Sequence, residues 1–177
     1  KSVSIPTSVT RIDNGAFTDC TSLTSISIPT SLTSIGKEVF KGSGLTSIDI
    51  PNSITSIGES AFAGCAKLTS VKIPNSVTSI APLAFYQSGL TSVTVPNSIT
   101  KIESSTFASC AKLDNVTIGN SVTSVEEDAF DGCKDPLTIT CNAAVAPTIE
   151  NSNSGGFWSV TTLSLKVPAG SEESYNN

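Results

Sequence analysis

The residues of this 177-residue chain best equipped for chemistry are five cysteines, one tryptophan, two tyrosines and a short run of acids, and histidine is absent. Without histidine, Ser-His-Asp and Cys-His systems are excluded. No C-x-x-C pair occurs, so zinc lacks a ligand set. No glycine-rich phosphate loop follows a strand. Glu126, Glu127, Asp128 and Asp131 form the densest acidic group. Such a group could attract Ca²⁺, but the pattern favours the start of a helical turn before Phe130, where negative charge suits the local dipole. Nothing in the pattern sets two carboxylates across a cleft. The expectation is a non-enzyme without metal or cofactor.

The cysteine spacing leads to the elements that position everything else. Cys20, Cys65 and Cys110 lie 45 residues apart, and they track a longer series of aromatic anchors. Phe17, Phe40, Phe62, Phe85, Phe107 and Phe130 are separated by 23, 22, 23, 22 and 23 residues. Coils of one kind carry F-x-x-C-x-x-L, as at Phe17 to Leu23, Phe62 to Leu68 and Phe107 to Leu113, while the others shorten to F-x-x-S-G-L at Phe40 to Leu45 and Phe85 to Leu90. Gly44 and Gly89 are expected to supply freer dihedrals for the shorter turn.

A repeat of this length stacks as a solenoid, because only neighbouring coils can cover each coil's apolar side. Two coils are about 10 Å apart at the spacing of sheet strands, beyond disulfide reach. Cys20, Cys65 and Cys110 therefore read as buried thiols, small apolar members of a column. Cys133 stands one coil beyond Cys110 and Cys141 follows it, so a single bridge among these three stays open, Cys133 to Cys141 being the pairing to test.

Each coil reads Leu-x-x-Ile-x-Ile-Pro-x-Ser-Val-Thr-x-Ile-x-x-x-Ala-Phe. Leu45-x-x-Ile48-x-Ile50, Leu68-x-x-Val71-x-Ile73 and Leu90-x-x-Val93-x-Val95 predict a short strand, ended by the prolines at 6, 29, 51, 74 and 96, which lack an N–H. Ser8, Ser31, Ser53, Ser76, Ser98 and Ser121 should form a hydroxyl ladder capping turn backbone. Pairs such as Ile54 with Ile57 and Val77 with Ile80 predict a second extended segment. The stretch up to each phenylalanine has room only for a turn or a 3₁₀ segment.

At these residues the chain resembles the BspA-like (Treponema pallidum-type) leucine-rich repeat family, whose coils read much like Leu68-Thr69-Ser70-Val71-Lys72-Ile73-Pro74-Asn75-Ser76-Val77-Thr78-Ser79-Ile80. The C-terminal Val167-Pro168-Ala169-Gly170-Ser171, with Tyr175 beyond, is similar to the closing segment of such proteins. The resemblance implies a right-handed leucine-rich repeat superhelix of short parallel strands. It also implies a secreted or surface-exposed bacterial protein that acts as an adhesin or in host interaction. One departure is that the position after proline is Asn52, Asn75, Asn97 and Asn120 in four coils but Thr7 and Thr30 in the first two.

The expected organisation is six coils over residues 1–133 and a capping segment over 134–177, with a last strand near 162–167. Phe157 and Trp158 are expected to cover the end of the column, the alternative being Trp158 as a ligand contact. The chain opens at Lys1 inside a strand and lacks Met, which reads as a mature or excised piece. A net charge of −5 with no basic run argues against nucleic acid. No apolar run is long enough to span a bilayer.

Strand alternation leaves Ser25 and Ser27, Ser47 and Asp49, Ser70 and Lys72, Ser92 and Thr94, and Asn115 and Thr117 pointing outward. This is the candidate binding face, with Tyr86 and Trp158 as aromatic contacts. Asp49 and Lys72 sit on adjacent coils, within reach of pairing. The bland reading of the face is a solvated surface. The functional one is a partner-binding surface for a host matrix or cell-surface protein, with a spacer or glycan-binding module as the alternative. Its mixture of Ser, Asp, Lys, Thr and Asn lacks the regular threonines that ice binding needs.

Overall fold

Leu-x-x-Ile-x-Ile turns alternate side chains inward, and β-branched residues at those places favour extended backbone. The computed structural model, which describes residues 1–149 and 163–175, builds a parallel β-solenoid of about seven turns on that pattern. Its strands in chain order are β1 (Ser2–Ser4), β2 (Ser25–Ser27), β3 (Ser34–Ile35), β4 (Ser47–Asp49), β5 (Ser56–Ile57), β6 (Ser70–Lys72) and β7 (Ser79–Ile80). Then come β8 (Ser92–Val95), β9 (Lys101–Ile102), β10 (Asn115–Ile118), β11 (Ser124–Val125), β12 (Leu137–Cys141), β13 (Thr148–Ile149) and β14 (Leu163–Lys166).

A coil has three walls. The first carries the strands before each proline, bonded as β1-β2, β4-β6 and β8-β10-β12-β14. The second carries the shorter strands, bonded as β3-β5-β7 and β9-β11-β13. Between them the proline carbonyl accepts the N–H three residues on, as in Ile54 to Pro51 at 3.0 Å and Ile99 to Pro96 at 3.1 Å.

The third wall holds the phenylalanines. Adjacent rings stack with centroids 5.2 to 5.5 Å apart. From Phe40 to Phe130 they are fully buried. This wall is a run of turns rather than a helix. Alternate N–H groups bond three residues back, as Thr18 does to Gly15, while Phe17 donates to Val39 of the next coil at 2.8 Å. The cause is a left-handed residue two places before and two places after each phenylalanine: Gly15 and Asp19, Glu38 and Gly42, Ser60 and Gly64, Leu83 and Gln87, Ser105 and Ser109, Asp128 and Gly132. A positive φ at every fourth residue cannot continue a right-handed helix. The acids before Phe130 therefore meet no helical turn or dipole. Instead Glu126 reaches back one coil, accepting from Ser104 N–H at 2.9 Å and Lys101 Nζ at 2.6 Å.

Gly44 and Gly89 are needed for closeness, not for dihedral freedom. Neither has a positive φ. A Cβ on Gly44 would stand 2.0 Å from Thr21 O, and one on Gly89 would stand 2.3 Å from Ala66 O. The shortened turn presses directly on the backbone of the longer turn before it.

The apolar pattern lapses at Lys134, but the backbone ladder continues. β12 pairs with β10, setting Ile139 against Val116 and Cys141 against Ile118, and β13 extends the second wall. β14 then pairs with β12. A 3₁₀ segment, Glu172–Tyr175, closes over this end: Tyr175 Oη donates to Ala143 O at 2.7 Å, and Ser174 Oγ accepts from Ala146 N–H. Phe157 and Trp158 lie outside the described residues.

Candidate binding face

All five cysteines are free thiols. The open pairing of Cys133 with Cys141 is not made, because the two face different partners. Cys133 Sγ points to Phe107 O at 3.3 Å in the third wall, while Cys141, at the end of a first-wall strand, lies 3.2 Å from Tyr175 Oη. Cys65 donates to Phe40 O at 3.0 Å and Cys110 to Phe85 O at 3.1 Å. Ser43 and Ser88 hold the same place in the short coils, with hydroxyls 3.4 and 3.2 Å from those sulfurs. Burial pushes the Cys65, Cys110 and Cys133 thiols above their ordinary range. Thiolate chemistry is thereby suppressed at these three.

No three of the His, Cys, Asp and Glu side chains among the described residues converge as a metal group. Beside Lys101, Glu103 is pushed up by burial and by Glu126, while the hydrogen bond from Lys101 holds Glu126 down. This is a charged corner on the second wall, off the strand face.

The strand face is the remaining candidate. Nine of its ten predicted positions are exposed, namely Ser25, Ser27, Ser47, Asp49, Ser70, Lys72, Ser92, Thr94 and Asn115, and Thr117 is half-buried. Beneath them Ile26, Ile48, Val93 and Val116 point into the core. Over β2, β4 and β6 the face sinks into a depression of about 760 Å³, with Ser25, Ser27, Ser47, Asp49, Ser70 and Lys72 across it and Pro51, Asn52 and Pro74 at its rim. Asp49 and Lys72 are register neighbours. Yet no ion pair joins them, whereas Lys37 bonds Glu59, Lys101 bonds Glu126 and Lys134 bonds Asp114 off the face. Both charges in the depression are open to a partner. Tyr86 is half-buried rather than exposed, and its hydroxyl accepts from Gln87 Nε2 at 3.2 Å.

The serine ladder works between coils rather than within its own turn. Ser31, Ser76 and Ser98 donate to the carbonyls of Val9, Ile54 and Val77 in the coil before. Ser53 Oγ is buried without a partner. Sequence reasoning missed the rim and a second set of hydroxyls. Thr46, Thr69 and Thr91 each donate to the threonine carbonyl one coil earlier. The signal was the threonine one residue ahead of β2, β4, β6 and β8.

The model of the BspA type leucine-rich repeat region matches six copies over residues 1–113 and 33–164. The chain belongs to the BspA type leucine-rich repeat family. Among solved structures, this BspA type chain is similar to a leucine-rich repeat protein from Bacteroides ovatus ATCC 8483, with TM-score 0.78 and 28% identity over 93% of the chain. The match covers 43% of that protein, so the chain spans less than half its length. The T. pallidum leucine-rich repeat protein matches with TM-score 0.64 and 23% identity over 94% of this chain and 72% of its own, a likeness of fold alone. No curated protein matches the chain. No helix among the described residues is long and apolar enough to cross a membrane.

Proposed function

We propose that this solenoid is a non-enzymatic binding module, secreted or displayed on a bacterial surface, that holds a protein partner in the depression of its strand face. The observation that carries the reading is the pair Asp49 and Lys72, adjacent in register and unbonded to each other in a depression otherwise crossed by the small hydroxyl side chains of Ser25, Ser27, Ser47 and Ser70. A polypeptide surface offering one cation beside one anion complements that pair, and charge complementarity sets partner and register more than raw affinity. Membership of the BspA type family supports an adhesive role toward host matrix or another cell's surface.

Surface plasmon resonance on immobilised fibronectin, fibrinogen, collagen and laminin tests it. Saturable binding is expected, lost at least tenfold in the double variant Ser70→Glu, Ser92→Glu and in the charge reversal Asp49→Lys. Binding untouched by these changes would remove the face from the role. Silence on all four proteins with a hit on a glycan array would replace a protein partner with a sugar, and silence on both would leave a spacer.

A further inference from the structure

One interface between coils differs from all the others. From the third coil on, the threonine ahead of a second-wall strand donates its N–H to the threonine carbonyl one coil earlier: Thr55 to Thr33, Thr78 to Thr55, Thr123 to Thr100 and Thr148 to Thr123, at 2.8 to 2.9 Å, while at the first interface, where Thr33 makes no such bond, β1-β2 keeps the first wall closed. The bond from Thr100 to Thr78 is not made. After the strand, Gly58 donates to Ile35, Ala81 to Ile57 and Glu126 to Ile102, yet Glu103 makes no such bond to Ile80. Accordingly β7 and β9 belong to different sheets. At the same interface β6 and β8 are also unpaired, so the first-wall ladder stops there as well.

The first-wall ladder also pauses between β2 and β4, but there β3-β5 keeps the second wall closed. Only between the β6–β7 coil and the β8–β9 coil do both strand walls part together. A crevice too narrow for water opens there against Ile80, Ile99, Ile102 and Phe107. Lys101 occupies the place that serine holds at 34, 56, 79 and 124, and its ammonium bonds Glu126 in the following coil. What crosses is the third wall, with Phe85 N–H to Thr106 O and Gln87 N–H to Ala108 O at 2.9 Å, together with Thr91 and Ser98.

In a solenoid the free energy is a sum of coil terms and nearest-neighbour interface terms, so the weakest interface sets where cooperativity ends. We infer that this seam divides the protein into two cooperative blocks, residues 1 to about 90 and about 91 onward, which open independently of each other. The depression over β2, β4 and β6 lies wholly in the first block, so an occupant there steadies that block and leaves the second unchanged.

Native-state hydrogen exchange of the intact chain across a urea series tests the inference. Protected amides should merge into two isotherms that change over between Leu90 and Asn115. One block should exchange at least tenfold faster than the other at the same urea concentration, and Thr100 and Glu103 should be unprotected where Thr78, Ala81, Thr123 and Glu126 are protected. A single isotherm for the whole solenoid would overturn the two blocks. So would a division elsewhere, such as between β2 and β4. The measurement needs no ligand, so its outcome is independent of whether the strand face binds anything.

Discussion

The phenylalanine wall and the strand walls are built from the same coils, yet only the former is bonded through every interface from Phe17 to Phe130. The first strand wall is cut twice and the second once. The irregular turns therefore act as the spine of this solenoid, and the regular strands are the part it can leave loosely joined. Backbone groups held in turns, a stacked aromatic column and a buried Cys/Ser column all sit on that one side. The opposite side is left with small polar side chains and little to hold together.

The sharpest way to break the contrast is Phe85→Ala, at the centre of the stack. It should cost about 3–5 kcal/mol, as large-to-small changes at fully buried aromatics do, read as a lowered urea midpoint. Next is Gly89→Ala, whose methyl would meet Ala66 O at 2.3 Å. Overpacking against backbone should cost about 1–3 kcal/mol, and the same change at Gly64, which has a positive φ and no atom closer than 3.6 Å to an added methyl, would report dihedral strain instead. Ser88→Ala removes the hydroxyl beside Cys110 and should cost about 1 kcal/mol, the net worth of a buried hydrogen bond. The smallest effect should come from the strand face: Ser70→Glu with Ser92→Glu should move stability by no more than about 0.5 kcal/mol. A large loss there would mean that the strands, not the turns, carry the fold.

Much of this was legible in the chain. The 22- and 23-residue spacing, the inward Leu and Ile, the prolines and the buried cysteines each follow from periodicity and from the apolar cost of exposing them. The left-handed residues were not legible, because eight of the twelve beside the phenylalanines are Asp, Glu, Ser, Leu or Gln rather than Gly, so no residue type marks them. The seventh turn was hidden because Pro136 occupies the register place of Leu113 and Leu137 follows one residue late. The seam left only one trace, Lys101 in a serine column. On the strand face the exposed positions could be read from alternation, but the depression could not, since concavity depends on how coils stack and not on what any one contains.

The close contact of Gly44 with Thr21 and of Gly89 with Ala66 imposes a grammar on coil order. In this chain a short coil always rests on a long one, while the long coil of Phe130 follows the long coil of Phe107. Recombination that drops a short coil would leave a permitted sentence, long upon long. Loss of the long coil of Phe62 would bring one short coil down upon another, an order this chain never uses, so within the alternating part inheritance of coil number should favour steps of 45 residues or the loss of a single short coil.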